Sequence, residues 1–145
     1  MTRRLIALIA LSVLVIACGD PESSETTTGP EPISGTIHVS GGFEGIDEIW
    51  TLASDGTVTG PNAQTGRISD ADLAALRAAI TAAGFFDLDA EYMPDDTCCD
   101  RFTYVLTLTV GDRTNTVTTI DAAEAPQTLF ALIGTFRGAL SAATQ

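Results

Sequence analysis

Few residues in this chain could do chemistry, and their spacing restricts what that chemistry could be. His38 is the only imidazole, so a serine nucleophile anywhere in the chain would depend on it as base. No Gly-x-Ser-x-Gly elbow is present, and no second histidine completes a zinc pair of the usual spacing. The glycines at 41, 42 and 45 are followed by no lysine and open no helix, so they do not form a phosphate loop. His38 therefore reads as a surface or edge residue on a strand. Carboxylates are plentiful, but an acid-rich surface brings them together without purpose. No catalytic residue, metal ligand or cofactor site is assigned, and the chain reads as a non-enzyme.

Cys98 and Cys99 stand beside Asp95, Asp96 and Asp100. In an oxidising compartment the neighbouring thiols could close a vicinal disulfide. That bond is strained, because α-carbons across a trans peptide lie about 3.8 Å apart, below the usual disulfide range. Two free thiols on opposite sides of an extended segment, or a solvated acidic loop with no further role, are the alternatives.

The elements that must position these residues follow from periodicity. Ile37 and Val39 alternate with polar neighbours in a first strand, Ile33 to Val39, which Gly41-Gly42 breaks. Glu48 to Ala53 is a second strand and Thr57 to Thr59 its return, joined by Ser54-Asp55-Gly56 turn chemistry. Gly60 to Gly66 reads as loop. Ser69 begins a helix as its cap, with Asp72 in a capping-box position, Ile68 and Leu73 placed as a hydrophobic staple, and Gly84 as the left-handed stop. Leu73, Leu76 and Ile80 share its apolar face, and Phe85-Phe86 add packing volume.

Glu91 to Arg101 reads as an irregular acidic loop. Phe102 to Val110 alternates dry and wet faces over its whole length and is the clearest strand. Gly111-Asp112 suits a hairpin into a threonine-rich strand, Thr114 to Ile120. Pro126 opens a last helix with the stripe Leu129, Leu132, Ile133, Phe136 and Leu140. Antiparallel pairs with helices on one face predict an α+β sandwich of four to five strands and two helices.

The N-terminus sets the expected location. Arg3-Arg4 precede a thirteen-residue apolar run, Leu5 to Ala17, too short to span a bilayer, which needs roughly 20 residues. Val15-Ile16-Ala17-Cys18 closes it and resembles the lipobox of bacterial lipoproteins, which implies lipidation of Cys18 after removal of residues 1–17. Residues 18–32 carry three prolines, four acids and no large apolar residue, the composition of a disordered tether reaching about 20 Å. Residues 33–145 are then the folded domain. The resemblance places that domain outside the cytoplasm, anchored through Cys18 to the cell membrane or the outer membrane. Gly19 stands where an inner-membrane retention aspartate would be. All seven basic residues are arginine, and the part after residue 17 holds five of them against nineteen carboxylates, a net charge of −14. Such a surface repels phosphate backbones, so nucleic acid is excluded as a partner.

From Gly41 onward an ordered set of motifs appears. Gly41-Gly42-Phe43-Glu44-Gly45-Ile46 comes first, then Leu73 to Leu76 and Gly84-Phe85-Phe86-Asp87-Leu88. Asp100-Arg101-Phe102-Thr103-Tyr104, Thr116-Val117 and Ala125-Pro126-Gln127-Thr128-Leu129 follow. This series resembles the emfourin family, small bacterial inhibitors of thermolysin-like metallopeptidases, over roughly 100 residues. The resemblance implies an inhibitor that fills a peptidase cleft with a rigid loop and has no catalytic residue of its own. One candidate contact is the loop Gly41, Gly42, Phe43, Glu44 and Gly45, where Phe43 could fill an apolar subsite. The other is the loop bearing Asp95, Asp96 and Asp100, whose carboxylates could meet a metal. The plainer reading, which the sequence favours, puts Phe43 in the core and leaves the glycines to shape a bend. A non-catalytic envelope binding or scaffold domain is the alternative function.

Overall fold

The computed structural model describes residues 29–98 and 100–145. Cys18, Cys99, the expected leader and most of the expected tether lie outside the described residues. The elements are β1 (Ile33–Gly41), β2 (Ile46–Leu52), β3 (Thr57–Thr59), β4 (Thr65–Arg67), α1 (Asp70–Ala83), β5 (Glu91–Tyr92), β6 (Phe102–Val110), β7 (Arg113–Ile120) and α2 (Gln127–Ala143). They form one seven-stranded sheet in the order β4-β3-β2-β1-β6-β7-β5. The α+β class holds, but the sheet has seven strands where four to five were expected, and β5 runs parallel to β7. The additional strands are two or three residues long, too short to show a period of two. β4 overlaps the end of the expected Gly60–Gly66 loop, where Asn62 and Ala63 take positive φ and reverse the chain. β5 lies at the start of the expected acidic loop, and the Thr118 amide beside it donates to Ala90 O at 2.9 Å.

β1 is the central strand, antiparallel to β2 on one side and to β6 on the other. Its inward residues Ile37 and Val39 join Leu52, Val58, Leu106, Leu108 and Val117 in the core. Both helices close that face with Leu76, Ile80, Leu129, Leu132, Ile133, Phe136 and Leu140, all in the same cluster. The outer face carries threonine instead. Thr65, Thr59, Thr51, Thr36, Thr107 and Thr116 follow one another in register across six strands. Threonine is β-branched and tolerates water, so it suits a strand with one wet face. The Thr107–Thr116 and Thr109–Thr114 hydroxyls hydrogen-bond across β6 and β7 at 2.8 and 2.9 Å.

The stop and start signals of α1 work as the sequence predicts, with one difference. Ser69 Oγ accepts the Asp72 amide at 3.1 Å, and Gly84 ends the helix with φ 57°. In a full capping box the third residue would reach back to the cap's backbone amide. Asp72 is one methylene shorter than glutamate, and its carboxylate instead accepts the Ser69 hydroxyl at 2.6 Å. Phe85 is fully buried, whereas the half-buried Phe86 lies under the Arg113 guanidinium, 4.5 Å from its ring centre. Asn115 of β7 ties this corner to the sheet, donating to Phe85 O at 2.8 Å and Leu88 O at 3.3 Å. At the Asp55 turn, the Thr57 amide and hydroxyl hold the exposed carboxyl below the usual carboxylate range.

Replacing Ser69 with alanine leaves the Asp72 amide without its cap, a loss of about 1 kcal/mol. Urea unfolding should show a lower midpoint with an unchanged slope.

Candidate functional site

The two loops singled out from the sequence meet at one end of the sheet. The β1–β2 hairpin turns over Gly42 to Gly45, with the Gly45 amide donating to Gly42 O at 3.0 Å. Phe43 and Glu44 are the central residues of this turn. β6 begins alongside, so Gly41 pairs with Phe102 and the Gly42 amide donates to Arg101 O at 3.0 Å. Gly41 and Gly42 have φ of 105° and 71°, in the left-handed region. A Cβ on Gly41 would stand 2.5 Å from Arg101 O, and one on Gly42 would stand 2.5 Å from the Phe102 ring. Glycine is therefore required twice, by conformation and by space.

Phe43 is 93% exposed, which overturns its reading as a core residue. The physical reason is its position. A tight turn projects its two central side chains beyond the end of the sheet, where no second layer lies against them. The core-facing alternation starts only within the strands on either side.

Hydrogen bonds between side chains and backbone hold the acidic loop. The Cys98 amide donates to Asp96 Oδ1 at 2.8 Å, and Arg101 Nη1 donates to Asp96 O at 3.2 Å. Asp95, Asp96 and Asp100 are exposed. Among the described residues no group of three His, Cys, Asp or Glu side chains is placed to hold a metal ion. Cys98 is disulfide-bonded. Arg101 links the loops, since its side chain closes the acidic loop while its carbonyl receives the hairpin amide.

Sequence reasoning missed Asp121, which braces this end from beneath. Its Oδ2 accepts the Phe102 amide and its Oδ1 accepts the Tyr104 hydroxyl, both at 3.0 Å, while its own amide donates to Phe102 O at 3.0 Å. A signal for it existed. The turn at Gly111-Asp112 sets Val110 opposite Arg113, and counting back along both strands puts Asp121 opposite Phe102. Burial, and then the hydrogen bond to Asp121, raise the Tyr104 hydroxyl above its ordinary pKa of 10.0, against a smaller opposing effect of Arg137.

His38 stands three residues back from Gly41. It is a surface residue paired with Asp47, but on the central strand and not at an edge. A groove of about 1020 Å³ lies elsewhere, lined by Glu31, Ile33, Gly56, Leu73, Arg77 and Thr81. Ile33 is at the start of β1 and the hairpin at its end, so this groove plays no part in the meeting of the loops.

A two-layer domain that presents braced loops at one sheet end has the build of a small binding domain. The emfourin family profile matches residues 38–137, most of the chain, and the protein belongs to the emfourin family, a family of metallopeptidase-inhibitor domains. No curated protein matches the chain.

Tyr104 links this site to pH. With a folded-state value above the unfolded one, the native protein holds the phenolic proton more tightly. That contribution is complete below about pH 10 and is lost as pH rises through the raised value. Tyr104→Phe should remove the late phase of the phenolate absorbance titration. It should also lower the unfolding free energy at neutral pH by about 1.5 kcal/mol, the worth of a hydrogen bond to a carboxylate.

Proposed function

We propose that this protein is a lipid-anchored inhibitor of a thermolysin-like metallopeptidase, working outside the cytoplasm, with the Gly41–Gly45 hairpin as the segment that enters the enzyme's cleft. Family membership supports the inhibitor class. The observation that carries the choice of segment is Phe43: a large aromatic ring, 93% exposed, on a turn locked to Arg101 and Phe102. A large aromatic ring in the open can serve as the anchor that fills a partner's pocket. The backbone of its turn is already hydrogen-bonded in place, so binding need not order it, and that preorganisation raises affinity. The catalytic zinc of such a peptidase keeps an open coordination position in a cleft that accepts extended peptide. A narrow hairpin tip with glycines on both sides can approach such a cleft closely. The acidic loop beside it flanks the entrance.

The reading includes an anchor at the N-terminal end of the chain. A thioether-linked acyl chain on Cys18 would hold the domain at the membrane surface, with residues 18–32 as spacer. Among the described residues no helix is long and apolar enough to cross a membrane.

Full-length protein solubilised in mild detergent should inhibit a thermolysin-like peptidase at near-stoichiometric ratios. Phe43→Ala should raise the inhibition constant roughly tenfold or more, as for a buried aromatic anchor. Absence of inhibition at large excess would leave the scaffold reading. Mass spectrometry of protein taken from the producing cell should show Cys18 as an acylated N-terminal residue. An unmodified Cys18 with residues 1–17 still attached would refute the anchor.

A further inference from the structure

The hairpin tip is too small to be the whole contact. Three of its five residues are glycine, and Phe43 is its only large side chain. One aromatic side chain buries about 150–250 Å², whereas a stable interface takes about 800 Å² from each partner. The remainder must come from surface flanking the hairpin, in one of two directions. The acidic loop offers Asp95, Asp96 and Asp100, and carboxylates are costly to desolvate and depleted from interface centres. The outer face of the sheet offers uncharged hydroxyls and one apolar side chain that the fold does not account for, Ile49.

Ile49 is 57% exposed and, with Phe43, makes up the exposed large hydrophobics among the described residues. Both belong to the same hairpin. Ile49 points away from the core, opposite His38 on β1, which in turn sits opposite Val105 on β6. Its outward neighbours on β2 are Asp47 and Thr51, and the Asp47 carboxylate is paired with His38. Among these neighbours Asp47 is the one carboxylate, and His38 holds it. Ile46 closes the hairpin base, and Ile49 lies about 10 Å further along the strand at 3.3 Å per residue. That distance fits within a single patch of standard size.

We infer that Ile49 is a second anchor for the metallopeptidase, and that the bound enzyme extends from the Phe43 tip down the outer sheet face instead of across the acidic loop. This inference rests on the inhibitor reading and adds a direction and a residue to it.

The test is inhibition of a thermolysin-like peptidase by full-length protein in detergent, comparing wild type with Ile49→Glu, Ile49→Thr and Thr114→Glu. Thr114 is exposed on the far side of the same face, so its substitution adds the same charge outside the inferred contact. Ile49→Glu should raise the inhibition constant roughly ten- to hundredfold, and the strand-compatible Ile49→Thr severalfold, with melting temperatures near that of wild type. Thr114→Glu should stay within about twofold. Inhibition by Ile49→Glu or Ile49→Thr as strong as that of wild type would overturn this inference and leave the inhibitor reading standing. Equal losses in Ile49→Glu and Thr114→Glu would reduce the effect to charge repulsion and overturn it too. Should wild type fail to inhibit, both readings fall together.

Discussion

The close approach of two backbones, Gly41-Gly42 against Arg101-Phe102, is the constraint on which the rest of this structure depends. β1 can pair with β6 along its whole length because nothing bulkier than hydrogen lies between them at that end. The same contact fixes the hairpin, because the Gly42 amide is committed to the Arg101 carbonyl. It also fixes the acidic loop, since Arg101 closes that loop with its guanidinium. A side chain at either glycine would push the strands apart where two loops and the entry to the longest strands converge. Asp121 completes the arrangement from below with three hydrogen bonds to Phe102 and Tyr104. A partly buried carboxylate that accepts two donors is strongly held, and it stiffens whatever is built on it.

This division gives the sheet distinct regions. Its inner face is a dry core closed by two helices, and its outer face carries threonines, two pairs of which hydrogen-bond across β6 and β7. The end where the loops meet is neither. It exposes an aromatic ring on a turn whose flanking glycine amides are hydrogen-bonded. Emfourin membership places the chain among metallopeptidase-inhibitor domains, and in the function proposed above this ring is the part that meets the enzyme. The fold alone would not have said so, since a two-layer α+β sandwich serves many functions.

Much of this architecture was legible in the residue pattern. Phe102 to Val110 alternates over nine residues, long enough for a period of two to stand above chance. The cap at Ser69 and the stop at Gly84 are local devices that act through neighbouring backbone, so they read correctly from spacing. The last helix showed its stripe for the same reason, and all five of its expected core residues are buried. The short strands β4 and β5 did not read, because two or three residues hold no period and their pairing is decided by the strand beside them. Thr119 illustrates this: its buried hydroxyl donates to the Tyr92 carbonyl, 27 residues earlier.

The sequence by itself determined both helices and five of the seven strands, the net acidity, and the order of motifs that marks the family. Each depends on residues close together in the chain or on simple counting. Only the tertiary structure decided that the glycine loop and the acidic loop share one end, that Asp121 braces them, and that Phe43 faces solvent. Those outcomes depend on which strands become neighbours. Pairing at a separation of some sixty residues is set by the packing of the whole core, and no local pattern contains it.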